Sequence, residues 1–281
     1  MARDSEITVG AAQINCEPGE LDENLERHLE WVREARNVGL DLLVFPELSL
    51  TGYGLGTGIP DAAMFRDDTR LSALADAAGP MQVVAGFIEE ATPGEYYNAL
   101  ATLRDGRLEA VHRKLNLPNY GRLEEGKHFT AGTELTEVTV KGAWRASHLI
   151  CADLWNPGLV HAALLHRPDI LVAPVNSASG AVSQAFSNEH NWITNVTFYA
   201  MTYGTPVIMA NRYGYEGETF FWGGSRILGA RGETLAAAED EEALITATLK
   251  RDAIARARYD MPTHRDANTP LVRRLLEKWG E

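Results

Sequence analysis

The chain has 281 residues, with 26 Lys and Arg against 39 Asp and Glu, a formal net charge of −13. That negative field repels phosphate backbones and anionic lipid, which excludes nucleic-acid binding and membrane-surface attachment as starting assumptions. Its two cysteines, Cys16 and Cys151, lie far apart and form neither a disulfide framework nor a zinc-knuckle spacing. The N-terminus carries acids and lacks an apolar core segment, so no signal peptide is expected. The longest uncharged stretches, around 171–188 and 191–211, are interrupted by Asn, Ser, Thr and Pro and are too polar to span a bilayer. A cytoplasmic protein is the expectation.

In chain order, Ile7-Thr8-Val9-Gly10-Ala11-Ala12-Gln13-Ile14 predicts a buried strand. Leu21, Leu25, Leu29 and Val32, spaced four, four and three apart, predict an amphipathic helix that runs towards Gly39. Residues 40–46 form a second apolar strand stopped by Pro46. A Gly-rich segment covers 51–60, a helix is predicted over 61–78, and a strand over 83–88. Residues 98–103 and 107–112 read as a hairpin across Asp105-Gly106. The alternation then repeats: a strand at 147–150, a helix at 159–166, a strand at 169–174, a helix at 187–203 and a strand at 206–210. Short strands near 226–228 and 243–248 and helices near 252–259 and 270–279 complete the reading. Such alternation implies a sheet covered by helices, with meander strands mixed in. Length alone would admit two domains. With no Ser/Gly-rich linker and no repeat of fixed period, one domain over residues 1–281 fits better.

Three reactive side chains sit where apolar strands end or nearby, the usual place for active sites in α/β sheets. Glu47 follows Val44-Phe45-Pro46, Lys114 ends the hairpin, and Cys151 follows Leu149-Ile150. A thiol with a carboxylate to take its proton and an ammonium to hold developing negative charge has the parts of an activated nucleophile. Taken singly, each has a plainer reading: a small core thiol, a turn residue and a solvated lysine.

The surrounding residues sharpen this. Phe45-Pro46-Glu47-Leu48-Ser49-Leu50-Thr51-Gly52-Tyr53, then Arg113-Lys114-Leu115-Asn116-Leu117-Pro118-Asn119-Tyr120-Gly121 with Glu125 and Phe129, then Leu149-Ile150-Cys151-Ala152-Asp153-Leu154-Trp155 resemble, in order and spacing, the three signatures of the nitrilase, or carbon–nitrogen hydrolase, superfamily. The resemblance implies a four-layer α-β-β-α sandwich with two mixed sheets and a Glu-Lys-Cys site. By motif position, Glu47 would be the general base, Cys151 the nucleophile, and Lys114 with the backbone N–H of Ala152 the oxyanion holder. Glu125 would take a fourth position that orients the lysine and the substrate nitrogen. Here the chain departs from the pattern: the usual aromatic two places earlier is Leu123, and Glu124 adjoins Glu125, though Glu125 keeps the better spacing from Lys114 and Phe129.

No metal or cofactor is implied. His148, His161 and His166 lie near Cys151 but lack the spacing of a ligand helix. Ala152-Asp153 after the cysteine differs from the Trp-Glu of true nitrilases, and Leu154-Trp155 stands where carbamoylases carry a basic residue. The wording is closer to amidases and to the glutamine-amide-hydrolysing domains of glutamine-dependent NAD synthetases. No P-loop appears, and a fused synthetase would need a nucleotide-binding domain for which the chain leaves no room. The expectation is a stand-alone amidase acting on a small carboxamide, with an N-carbamoyl amide hydrolase and a glutaminase subunit as alternatives, and a nitrilase or a non-catalytic module further behind. Tyr120, Ala152, Trp155, Asn176 and Trp222 are the candidate substrate contacts. The stripe Trp192-Val196-Tyr199-Tyr203 is read as packing and Cys16 as an ordinary buried thiol. The resemblance further implies a homodimer or higher homo-oligomer.

Overall fold

The computed structural model describes residues 5–183 and 185–279; part of the acidic N-terminal stretch read above, residues 1–4, lies outside them. Chain order begins with β1 (Glu6–Gln13), α1 (Leu21–Asn37) and β2 (Leu42–Val44). The predicted helix over 61–78 is instead two, α2 (Ile59–Ala62) and α3 (Thr69–Ala78). Met64 interrupts it by forming a bridge to Glu89, its N–H donating to the Ile88 carbonyl and its own carbonyl accepting from the Glu90 N–H, both at 2.9 Å. Asp68 then starts a new helix by accepting from the Arg70 N–H. β3 (Gln82–Thr92), β4 (Glu95–Arg104) and β5 (Arg107–Arg113) form a meander, with Asp105-Gly106 at the second turn as predicted. β6 (Thr136–Lys141), which the sequence reading missed, pairs with β7 (Trp144–His148).

Next come α4 (Pro157–Leu165), β8 (Ile170–Val175), α5 (Asn188–Tyr203) and β9 (Val207–Asn211). A separate hairpin, β10 (Tyr213–Glu216) with β11 (Thr219–Trp222), was also missed. β12 (Arg226–Leu228), β13 (Thr234–Ala237) and β14 (Ala243–Lys250) precede α6 (Arg251–Asp260), α7 (Thr263–Asp266) and α8 (Thr269–Trp279).

These strands make two mixed six-stranded sheets. The first runs β14-β1-β2-β3-β4-β5 and the second β13-β12-β9-β8-β7-β6. In each, the central pairs are parallel (β1–β2 and β2–β3; β7–β8 and β8–β9) and the outer pairs antiparallel. β14 closes the first sheet by pairing with β1 along its whole length, from Glu6 opposite Lys250 to Gln13 opposite Ala243.

Alternation along the strands sorts side chains between three apolar layers. Val44 and Val84 meet Val172 and Ile208 between the sheets. Leu43 and Val83 turn outward to Val32, Leu71 and Leu74 of α1 and α3. Leu171, Ala173 and Met209 turn outward to Val160, Trp192 and Val196 of α4 and α5. The result is helices, sheet, sheet, helices, as the resemblance implied. Among the described residues no helix is long and apolar enough to cross a membrane.

Candidate active site

Four strands, two from each sheet, deliver polar residues to one place. Glu47 follows β2, Lys114 follows β5, Cys151 lies just beyond β7, and Asn176 follows β8. The sheets are joined there directly. The Glu47 N–H donates to the Val175 carbonyl at 3.4 Å, and the Asn176 side-chain amide donates to the Glu47 carbonyl at 2.9 Å. Gly86 of β3 passes under the Glu47 turn so closely that a methyl there would collide with the Leu48 nitrogen and lie 2.7 Å from the Glu47 carbonyl carbon. The Gly86 carbonyl in turn accepts from the Leu50 N–H at 2.9 Å.

Lys114 is fully buried, and its ammonium donates to Glu47 Oε1 at 2.6 Å and to Glu125 Oε1 at 2.7 Å. Asn98 donates to the same Glu47 oxygen at 2.8 Å, and the Tyr53 hydroxyl to the same Glu125 oxygen at 2.7 Å. Burial alone would lower the lysine pKa, but the two carboxylates outweigh it and hold it well above the usual value. Burial pushes the Glu125 carboxyl up, against the pull of Lys114 and with a further push from Glu47. Burial and the two carboxylates push the Cys151 thiol well up, with Lys114 opposing. The resting thiol is therefore protonated at neutral pH, and its proton needs an acceptor before the sulfur can attack. Of the two adjacent acids, Glu125 is the one at the lysine; Glu124 is exposed and pairs with Lys127 at 2.7 Å.

Asp153 ties two of these segments together. One carboxylate oxygen accepts from the Leu115 and Asn116 N–H groups at 3.0 and 2.7 Å, and the other accepts from the Ile150 N–H at 2.9 Å. Asn116 adds a bond from its side chain to the Ala152 carbonyl at 2.9 Å. Lys114 and Cys151 are thus held by a common anchor, and Cys151 starts a 3-10 turn with φ of +43°, a conformation that costs free energy in a non-glycine residue.

A cavity of about 230 Å³ opens in front of Cys151. Tyr120, Ala152, Trp155 and Asn176 all line it, together with Glu125. Trp222 is not among the lining residues: it is buried in the helix-side core of the second sheet, with Leu171 and Met209. Its β11 neighbour Phe221 packs instead with Ala181 and Leu123, which do line the cavity, so the two aromatics point to different sides of the ribbon. Trp192 belongs to the packing stripe as expected and also reaches the cavity wall. The sequence reading missed Tyr53, Asn98, Phe186 and Asn188. Tyr53 stood inside the first motif and was readable; Asn98 had no local signal. Cys16 is buried away from this cluster, its thiol raised to about 11 by burial. His148 is fully buried next to His112, and His161 contacts the Tyr203 hydroxyl at 2.6 Å.

Residues 8–259 match the family model described as carbon-nitrogen hydrolase. The chain belongs to the carbon–nitrogen hydrolase family. Among similar proteins, the glutamine-dependent NAD(+) synthetase of Thermotoga maritima is 31% identical over 277 residues, covering 94% of this chain and 45% of the synthetase. The chain therefore spans less than half the length of that relative. The N-carbamoylputrescine amidase of Solanum lycopersicum is 26% identical over 288 residues, covering 96% of this chain and 95% of the amidase. A carbon-nitrogen hydrolase structure from Helicobacter pylori superposes with a TM-score of 0.82 at 25% identity, covering 96% of this chain and 98% of that one. For this carbon–nitrogen hydrolase, then, both the fold and the family stand on the whole core of the molecule.

Proposed function

We propose that the protein hydrolyses the amide C–N bond of a small carboxamide through a thioester on Cys151. The observation that carries this reading is the buried Lys114 ammonium held between Glu47 and Glu125 beside the cavity that Cys151 lines. Glu47 takes the thiol proton as sulfur bonds to the amide carbon. The resulting oxyanion is held by Lys114 and the Ala152 N–H. Collapse breaks the C–N bond, the proton on Glu47 passes to the departing nitrogen, and ammonia or an amine leaves. Water then adds to the thioester, Glu47 again taking a proton, and the C–S bond breaks to release the carboxylate and restore the thiol. One base serves both halves because each needs one proton removed and later returned. Glu125, fixed by Tyr53 and Lys114, orients the ammonium and the amide nitrogen, while Tyr120, Trp155 and Asn176 contact the substrate.

This reading takes residues 1–281 as a single hydrolase domain in the cytoplasm that needs no cofactor. Exposed Phe198 and Met201 on α5 support assembly into a homodimer or larger homo-oligomer, which sedimentation velocity checks. The similarity to the synthetase favours a second reading, release of ammonia from glutamine for delivery to a partner. Cys151→Ala should abolish ammonia release from every accepted amide while circular dichroism and the unfolding midpoint stay near those of the parent protein. Full turnover by that variant would remove Cys151 from the mechanism.

A further inference from the structure

The cavity lining divides by chemistry. Asn176 donates its amide N–H to the Glu47 carbonyl, which leaves its Oδ1 buried without a protein partner, and Oε2 of Glu125 is in the same state. Asn188 Oδ1 on the same lining is a third, so the wall offers three oxygen acceptors, enough for the two N–H donors of a primary carboxamide. The rest of the wall is mostly apolar. Trp155 stands edge-to-face against Phe186, at 5.8 Å and 70°, and against Trp192, at 5.0 Å and 68°, with Leu123, Ala181 and Val182 beside them; Ser177 and Asn188, also on the lining, bond to each other at 3.0 Å. Among the described lining residues none carries a cationic side chain, and Glu125, already engaged by Lys114 and Tyr53, is the one carboxylate.

We propose that this cavity selects primary amides of small, uncharged, apolar acids, aromatic acyl groups foremost, and discriminates against amides whose acyl part bears a carboxylate or an ammonium. The proposal rests on the reading that Cys151 attacks an amide carbonyl. Glutamine and N-carbamoyl amino acids would bury a carboxylate with no cation to meet it, and the cost of an unpaired buried charge far exceeds what the apolar wall returns. An ammonium would need a carboxylate other than the one already engaged by Lys114. An aromatic ring gains both apolar contact and the edge-to-face geometry that Trp155 already makes with its neighbours. The cavity lies below the roughly 300 Å³ at which drug-sized ligand sites begin, which suits an acyl group of one ring.

The test compares kcat/KM for ammonia release from phenylacetamide, propionamide, glutamine, N-carbamoyl-β-alanine and 4-aminobutyramide. Phenylacetamide should exceed each charged substrate by at least about a hundredfold, the range a mismatched polar group produces in a fitted site. Trp155→Ala should narrow the ratio of phenylacetamide to propionamide by roughly tenfold. Glutamine, the carbamoyl acid or 4-aminobutyramide turning over as well as phenylacetamide, or an unchanged ratio in Trp155→Ala, would overturn the proposal. A second readout does not depend on turnover: alkylation of Cys151 by 2-chloro-2-phenylacetamide, chloroacetamide and chloroacetate, followed by intact mass and scaled to each reagent's rate with free cysteine. The expected order is aryl amide, small amide, acid. That order with no ammonia from any amide would defeat the hydrolytic reading yet uphold the apolar cavity. Ammonia release with equal scaled alkylation rates and no acyl preference would do the reverse.

Discussion

Lys114 balances two buried carboxylates with one ammonium, so removing it leaves Glu47 and Glu125 facing each other with no cation between them. Lys114→Met should cost about 3–5 kcal/mol of stability, the penalty of breaking a buried pair from one side. The sign of its pH dependence is diagnostic. Burial already raises the Glu125 carboxyl. Without the ammonium it rises further, so the folded variant binds a proton more readily than the unfolded chain and gains relative stability as pH falls. Urea unfolding at pH 8 and pH 5 should show the deficit shrinking at the lower pH; a constant deficit would mean the lysine acts by packing alone. At this scale the sequence was most informative where a reactive residue follows an apolar strand, as Glu47 and Cys151 do. It was silent on Asn98, whose bond to Glu47 spans 51 positions and has no local pattern to announce it. Between Glu124 and Glu125, spacing from Lys114 and Phe129 already favoured Glu125, and burial beside Lys114 decides it.

The elements carry these residues on tight turns, and β3 is the element on which the Glu47 turn rests. Gly86→Ala would push a methyl into the backbone of residues 46–48, which cannot yield as a flexible side chain can. The expected cost is about 1–3 kcal/mol of stability for overpacking, with a loss of activity of up to about a hundredfold if the carboxylate moves by an ångström. Gly58→Ala, where a methyl meets open space, is the control. Chemical denaturation and ammonia release measured on both variants check this; equal activity of Gly86→Ala and the parent would show that the turn adapts. Strands and long helices were legible because their periodicity is local. The split of the helix over 61–78 was not, since Met64 leaves the helix to pair with a strand 25 positions later. Nor was the side to which Trp222 turns, because β11 belongs to a small ribbon whose facing depends on what packs against Phe221.

Across the whole molecule, two buried histidines weigh against folding in acid. Burial lowers His28 to about 4 and His148 to about 3, the latter helped by His112. Both are neutral when folded, while the unfolded chain takes up protons from about pH 6.5 downward, so stability is present above that pH and lost as pH falls towards 4 and 3. At about 1.4 kcal/mol for each pH unit separating the folded from the unfolded value, the two together oppose folding by several kcal/mol at pH 4. Urea midpoints should fall steadily between pH 6.5 and 4, and His148→Leu should flatten that slope; a midpoint unchanged down to pH 4.5 would show that these sites open to water. The fold class was readable from alternation, and the meeting of the two sheets at Glu47 and Asn176 only from the assembled molecule.

The pairing of β1 with β14 also sets how long one strand waits for its partner during synthesis. β1 emerges first, yet its outer edge is covered only when β14 arrives, some 240 residues later. At about 5–20 residues per second that is on the order of ten to fifty seconds of synthesis. During that time a strand of mostly apolar residues presents unpaired backbone groups, the kind of edge that recruits other chains. The edge stays open for the whole interval between the two strands, and a chaperone that shields it would act before β14 is made.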